Sequence, residues 1–473
     1  MRAIHGAGTQ MARSCRRGAG LNRDRAGEVI EHHCDFRATS PRRCPKILDR
    51  PGAINVSFVQ RGAENDPDAR MGIPRQYRAD QMFPERFSNL PAYAFPRLRA
   101  LLDSTEPGGP VRHMSIGEPK HPYPLWISDT LVAHAHEFAK YPPNEGTPEL
   151  RGAIRDWLYR RYDVMMDPDT QIMALNGSRE GLYNAGMSLI PEQKNGKRPV
   201  VLMPNPFYQV YMISAISVGA EPRFVPATAE TGHLPDFASV GADVLDRTAA
   251  VYICSPANPQ GVMADEGYWR DLIGLAEKHD FVILADECYA EIYRDTPPKG
   301  ALEVAKKMGA DPERVVSFHS LSKRSNLPGL RSGFVAGGPD SIARMKQLRA
   351  YSGAPLPLPI QRVSEKLWSE ETHVTENRAL YVEKYELADR LLGHVPGYMS
   401  PVAGMFLWLP VEDGEAATLE LWQKTGVRVL PGAYLSKDTA AGNPGMAYIR
   451  VAIVAPRDET EEGLTLIRDT LYG

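Results

Sequence analysis

Residues 317–338 read SFHSLSKRSNLPGLRSGFVAGG. Lys323 sits among small hydroxylated residues, Ser320 and Ser322, and Arg331 follows eight positions later. An apolar run ends just before this cluster and another begins just after it. The stretch predicts two strands joined at an edge where a lysine, an arginine and two serines converge.

Working outward, the same grammar repeats. QIMALNGS (171–178), RPVVLMPN (198–205), EPRFVPA (221–227), AAVYICS (249–255), FVILADE (281–287), VVSFHSLS (315–322) and SGFVAGG (332–338) are short runs rich in Val and Ile, separated by helical patterns. They do not alternate in polarity, which marks strands covered on both faces. An α/β fold is therefore predicted, with a mostly parallel seven-stranded sheet and helices on both sides. Ligands in such sheets bind beyond the carboxyl ends of the strands. Polar clusters fall there: NGSRE after the first run, NPFY after the second, SPANPQG after the fourth, DECYAEIY at the end of the fifth, and Ser320 to Lys323 at the end of the sixth. Arg331 instead precedes the seventh run. If all these groups serve one site, the seventh strand runs antiparallel to its neighbours.

The bulk numbers narrow the class. The chain has 473 residues, 43% hydrophobic and 24% charged, with a formal net charge of −3. That length suits two unequal domains, and the charge does not point to nucleic acid or an acidic membrane as partner. The odd set of cysteines, Cys15, Cys34, Cys44, Cys254 and Cys288, shows no CxxC spacing and argues against a secreted disulfide framework. No apolar run reaches the ~18 residues of a membrane span. A cytosolic protein is expected, with no metal site. Residues 1–81 differ: up to Asp80 they hold fourteen arginines and one lysine without apolar periodicity. Asp24, Glu28, Glu31 and Asp35 are at odds with a transit peptide. A disordered extension is expected there; the other reading is a regulatory or nucleic-acid-binding arm.

The chemistry follows from the cluster. A working lysine needs a lowered pKa, which burial and a nearby cation supply, and Arg331 is such a cation. Arg331 and Ser320 can also grip a phosphate. So can the amides of Gly177, Ser178 and Arg179, if a helix starts at Ser178. Two phosphate grips beside one lysine suggest a phosphorylated aldehyde, pyridoxal phosphate. Asp286, a carboxylate at a strand end, suits the protonated ring nitrogen. Tyr289 and Asn258 suit the phenolic oxygen, and Tyr208 suits the ring face. Each residue taken alone has a bland reading: a turn former, a helix cap, a solvated lysine. Their convergence on one sheet edge favours the site.

SLSKRSNLPGLRSG resembles the lysine signature of the class I and II aminotransferases, fold type I. DECYAEIY, NPFY, SPANPQG, YPPNEGTPELRGAI and YIRVAI fall in that family's order, from about residue 82 to the end. The resemblance implies that Lys323 forms the Schiff base and shuttles the substrate proton, and that Asp286 pairs with the pyridine nitrogen. It implies that Tyr289 and Asn258 hold the phenolic oxygen, and that Ser178, Arg179, Ser320 and Arg331 form the phosphate cup. Tyr141 would reach the phosphate of a neighbouring subunit in a homodimer. Arg450 would clamp the substrate α-carboxylate, with Gly117 beside it. Gln260 and Ser332 depart from the family pattern, which usually has Thr or Ser at the first and an apolar residue at the second. Residues 82–124 and 361–473 are expected to form a small domain, and 125–360 a large cofactor domain. Residues 369–393 should form one long helix, and Gly432 should top a loop facing the substrate.

SLSKRSNLPGLRSGFVAG, SIGEPKHPYP and LPAYAFPRLRALL together resemble, more narrowly, N-succinyldiaminopimelate aminotransferases. That resemblance implies transfer between glutamate or 2-oxoglutarate and N-succinyl-2-amino-6-oxopimelate. A distal carboxylate would need a second cation, and Lys120, Arg97, Arg99 and Arg324 are the candidates, with Lys120 preferred. The alternative is an aspartate, alanine or aromatic aminotransferase on the same scaffold. A pyridoxal lyase or decarboxylase would hold the cofactor with the same residues. A non-enzymatic regulator would need a DNA-binding domain in front, and the first 80 residues show no paired amphipathic helices.

Overall fold

The computed structural model describes residues 85–88 and 90–473, all within one compact unit, Ile73–Gly473. The Arg-rich stretch 1–81 lies outside the described residues.

All seven apolar runs form strands of one sheet: β1 (Ile172–Leu175), β2 (Val200–Asn205), β3 (Glu221–Pro226), β4 (Thr248–Cys254), β5 (Val282–Asp286), β6 (Val315–Ser320) and β7 (Gly333–Gly337). Their order is β1-β7-β6-β5-β4-β2-β3. Strands β2 to β6 pair in parallel, while β7 is antiparallel to both β1 and β6. The position of Arg331 thus indicated the strand direction correctly. The register sets Ser320 opposite Gly333, so Arg331 lies beside the carboxyl end of β6.

The sheet is covered twice, which explains its unbroken apolar runs. Along β2, Val201 and Met203 join one core with Leu182, Ala185, Tyr211 and Ala215. Val200 and Leu202 join the other with Trp269, Ile273 and Ala276. Helix α1 (Ala94–Leu102) precedes the sheet in sequence, as does α2 (Pro148–Tyr162). The latter begins as its sequence demands. Thr147 caps it by accepting from the Leu150 amide, Pro148 opens the first turn, and Arg160 and Arg161 close the last. Helices α3 (Ser178–Leu189) and α4 (Gln209–Ser217) follow β1 and β2.

Beyond β7, α5 (Leu358–Ser369) leads to the long α6 (Thr372–Leu392). A three-stranded antiparallel sheet then forms from β8 (Phe406–Pro410), β9 (Leu430–Pro431) and β10 (Tyr448–Ala452). Its Leu407, Leu409, Ile449 and Val451 pack with Tyr385, Ala388 and Leu392 of α6 and with Leu464 and Ile467 of the last helix, α7 (Arg457–Leu471). The segment around Met114 joins this part of the chain: its amide donates to Arg428 O, and its carbonyl accepts from Ala452 N. No described helix is long and apolar enough to cross a membrane.

Candidate active site

A cavity of about 270 Å³ opens at the carboxyl ends of β4, β5 and β6. Gly117, Ser178, Arg179, Tyr208, Asn258, Asp286, Tyr289, Ser320, Lys323, Arg331 and Arg450 all line it. Eleven of the residues singled out from the sequence therefore meet in one place.

Asp286 ends β5 and is only 5% exposed. Its Oδ2 accepts a 2.6 Å hydrogen bond from Tyr211 Oη, and its Oδ1 accepts from the Cys288 amide at 3.3 Å. Burial pushes its pKa up, and among the described residues it has no ion-pair partner. A carboxylate so placed calls for a cation delivered from inside the cavity. Tyr211, on α4, stacks on Tyr252 at 4.6 Å and 7°, which holds its hydroxyl toward Asp286.

Lys323 lies in the one-turn helix after β6, whose N-cap is Ser320, accepting from the Ser322 amide. Its Nζ donates to the Gly117 carbonyl. Burial brings its pKa down to about 8; the Arg450 and Arg331 charges act the same way, while Cys288 and Glu118 oppose them.

The anion cup is built on a close approach. Gly177 precedes α3 with φ of +83°. A Cβ there would lie 2.1 Å from Arg331 Nη2, so a larger residue would push the guanidinium out of this place, and the positive φ itself favours glycine. Arg331 itself takes φ of +55° and donates from Nη1 to Pro328 O. Ser178 accepts from the Cys288 thiol at 3.1 Å, and Arg179 Nε donates to Tyr208 Oη at 2.7 Å. The first amides of α3 face the same corner, a prepared anion site.

Arg450, on β10, is the cation of the opposite wall. It is 5% exposed, and burial lowers its pKa to about 10. Nη1 donates to Asn258 Oδ1 at 3.0 Å and Nη2 to Ser115 O at 2.7 Å. Its Nε has no hydrogen-bond partner, and the guanidinium lies 4.2 Å over the Phe406 ring. A buried cation with a free donor and no anion among the described residues is an open carboxylate site.

The two remaining candidates lie elsewhere. Tyr141 is fully exposed at 102% and does not line this cavity. Lys120, the preferred distal cation, does not line the cavity either. The chain turns out of the cavity after Gly117, Pro119 is buried, and the Lys120 amide bonds Val454 O. Nor do the other distal cations reach the cavity. Arg97 lies 3.4 Å from Glu415 and stacks over Tyr434, Arg99 is exposed on α1, and Arg324 is buried against Leu367 O and Glu371. Gly432 is buried at the start of a short turn, and a Cβ there would meet Trp408 and Gly445.

Sequence reading missed Tyr211, Cys288 and the wall formed by Tyr93, Phe95, Ile116 and Phe406. Tyr211 could have been found, since it lies one helical turn beyond Tyr208. Ser332, an unusual polar residue, is explained: it accepts from Ser364 Oγ at 2.7 Å.

Residues 111–466 match the family described as aminotransferase class I and II. An LL-diaminopimelate aminotransferase from Dehalococcoides mccartyi is 32% identical over 391 residues, 80% of this chain and 96% of that protein. Among solved structures, an aminotransferase from Neisseria meningitidis is 39% identical, with a TM-score of 0.78, covering 81% of this chain and 98% of its own. A probable N-succinyldiaminopimelate aminotransferase from Thermus thermophilus is 25% identical, with a TM-score of 0.69, covering 80% of this chain and 100% of its own.

Proposed function

Because the chain belongs to the class I and II aminotransferases, pyridoxal-phosphate enzymes of fold type I, we propose that Lys323 bonds the cofactor's aldehyde and that Arg450 binds the substrate's α-carboxylate. The single observation that carries this reading is the cavity that joins a lysine of lowered pKa, a buried carboxylate without a cation and a buried arginine without an anion. When bound, pyridoxal phosphate draws electrons from the substrate Cα so that its C–H bond can ionise.

Each side chain then has a task. Ser178, Arg179, Ser320 and Arg331 hold the phosphate against the N-terminus of α3. Asp286 keeps a proton on the ring nitrogen, and the Tyr211 hydroxyl keeps Asp286 in place. Tyr289 and Asn258 hydrogen-bond the phenolic oxygen, and Tyr208 covers the ring. Arg450 offers its free Nε–H and remaining Nη hydrogens to the α-carboxylate, which orients the Cα–H toward Lys323. Lys323 Nζ would carry that proton between the substrate Cα and the cofactor's C4′ within each half of the cycle. A pKa of about 8 suits a base working near neutrality. Tyr141 serves the site of a second subunit in a homodimer; its full exposure, with Leu125, Val132 and Phe138 exposed near it in sequence, supports that role. Residues 125–360 act as the cofactor domain, and 82–124 with 361–473 as a small domain that closes on substrate.

For the substrate we take glutamate as donor and N-succinyl-2-amino-6-oxopimelate as acceptor, a reading supported by relatives that act on diaminopimelate or its succinyl form. Apart from Lys323 and the cup arginines, Arg450 is the one cation lining the cavity among the described residues. On this reading the distal carboxylate is met by the second subunit. The apolar wall of Tyr93, Phe95, Ile116 and Phe406 favours a second reading, an aspartate, alanine or aromatic aminotransferase. Mass-spectrometric detection of amino transfer decides between them, using glutamate, N-succinyldiaminopimelate, LL-diaminopimelate, alanine and phenylalanine as donors. Turnover of N-succinyldiaminopimelate above the others is expected. Turnover of alanine or phenylalanine alone selects the second reading, and no transfer from any donor overturns both.

A further inference from the structure

The segment 114–122 crosses the wall of the cavity and is held along its length. Arg450 donates to Ser115 O, Lys323 to Gly117 O, and the Lys120 amide to Val454 O. Its far end is held by a buried chain of side chains that the proposed mechanism does not use. His121, 7% exposed, donates from Nδ1 to Asn377 Oδ1 at 2.7 Å and accepts at Nε2 from Lys384 Nζ at 2.5 Å. Lys384, 1% exposed on α6, also donates to Ile453 O at 3.1 Å and has no ion-pair partner among the described residues. Asn377, two turns earlier on the same face of α6, receives a second bond at the same Oδ1 from Asn326 Nδ2 at 3.0 Å. Asn326 also donates to Pro122 O at 3.0 Å.

Three features mark this chain as more than core filler. Asn326 stands three residues beyond Lys323 and adopts φ of +55°, a conformation that asparagine tolerates and most residues resist. Lys384 is buried without an anion, an expensive arrangement for a structural lysine. Burial brings it down to about 7, and His121 to about 4, so the imidazole is neutral and its tautomer is fixed by its two partners. A connected polar network buried this way ties its members into one geometry.

We propose that Asn326, Asn377, His121 and Lys384 form a positioning chain that fixes the turn carrying Lys323 and the segment carrying Gly117 to helix α6. The chain thereby sets the distance between the amine and the carboxylate site around Arg450. It rests on the roles given above to Lys323 and Arg450. None of the four touches the cavity; they act through the two segments they clamp. Misplacement of about 1 Å at a reacting centre lowers turnover by ~10²-fold.

The test uses cofactor-loaded full-length enzyme. Asn326→Gly keeps positive φ accessible and removes only the amide. Lys384→Met removes the donor at similar volume. Each should retain cofactor, lower kcat/KM by ~10- to 100-fold and shift the pH midpoint of the visible band of the lysine-bound cofactor. The double variant should fall no further than the worse single, because one chain is broken twice. His121→Gln, which keeps one acceptor and one donor, should recover most of the activity that His121→Phe loses; this pair carries the comparison should Lys384→Met fail to fold. Kinetics and band midpoint unchanged while only the melting temperature drops would overturn the proposal. So would a double variant equal to the product of the singles, or a His121→Gln no better than His121→Phe. A wild type without any lysine-bound cofactor band fails the reading of Lys323 itself, and the proposal with it.

Discussion

Replacing Arg450 probes the substrate side of the site in isolation. Its guanidinium already donates to Asn258 Oδ1 and Ser115 O, which leaves Nε–H and the second hydrogens of Nη1 and Nη2 for a ligand. Arg450→Lys retains a cation but cannot satisfy Asn258, Ser115 and a carboxylate from one point. Loss of the fork should cost about 3 kcal/mol, or ~10²-fold in kcat/KM. Arg450→Ala should cost about 4 kcal/mol or more, ~10³-fold, since truncating one partner of a buried charge pair removes 2–5 kcal/mol or more. The cofactor should stay bound, because none of the cup residues depends on Arg450. A second readout moves in a defined direction. Arg450 is one of the charges that lower the Lys323 pKa, so Arg450→Ala should raise it and move the rising, acidic limb of the rate profile to higher pH. The assay is steady-state amino transfer across pH with cofactor occupancy measured in parallel. An Arg450→Ala enzyme within about threefold of wild type in kcat/KM, a change under 1 kcal/mol, would refute the clamp.

Tyr211→Phe deletes the 2.6 Å bond to a buried carboxylate; a hydrogen bond to a charged group is worth about 1.5–3 kcal/mol, so kcat should fall ~10- to 100-fold with cofactor still bound. Gly177→Ala forces a Cβ onto the Arg331 guanidinium at φ of +83°, and cofactor affinity measured by fluorescence titration should drop ~10-fold or more through loss of charge-assisted bonds to the phosphate. For cofactor-free protein, pH dependence tests the burial of Lys323. Its folded pKa of about 8 lies below the ordinary 10.5, so between these values the unfolded chain binds the extra proton and stability rises with pH. Lys323→Met should therefore melt above wild type at pH 7, with the gap narrowing toward pH 10; a gap that widens would contradict the sign.

The fold was largely legible because each strand announces itself as a short Val- and Ile-rich run buried on both faces, and β2 shows why: alternate residues enter two different cores. Even the reversed strand β7 could be inferred, since Arg331 precedes it and must lie where the other strands end. Site residues at strand ends were legible for the same reason. What failed was side-chain direction. Arg324 follows Lys323 directly, but on a helical turn neighbours point about 100° apart, and it is buried against α5 instead. Lys120 follows Gly117 by three residues along a segment with no periodicity to fix its facing. Tyr93 and Phe95 reach the cavity only because the N-terminal segment crosses its mouth, a long-range contact that leaves no local pattern.

The central claim is that one amine, that of Lys323, bonds the cofactor's aldehyde. Borohydride reduction of the cofactor-loaded protein freezes that bond, and peptide mass spectrometry then locates it. The account predicts a pyridoxyl-modified peptide containing Lys323 and no other modified lysine. A label on any other lysine, or an unmodified Lys323 peptide from protein that holds stoichiometric cofactor, would contradict it.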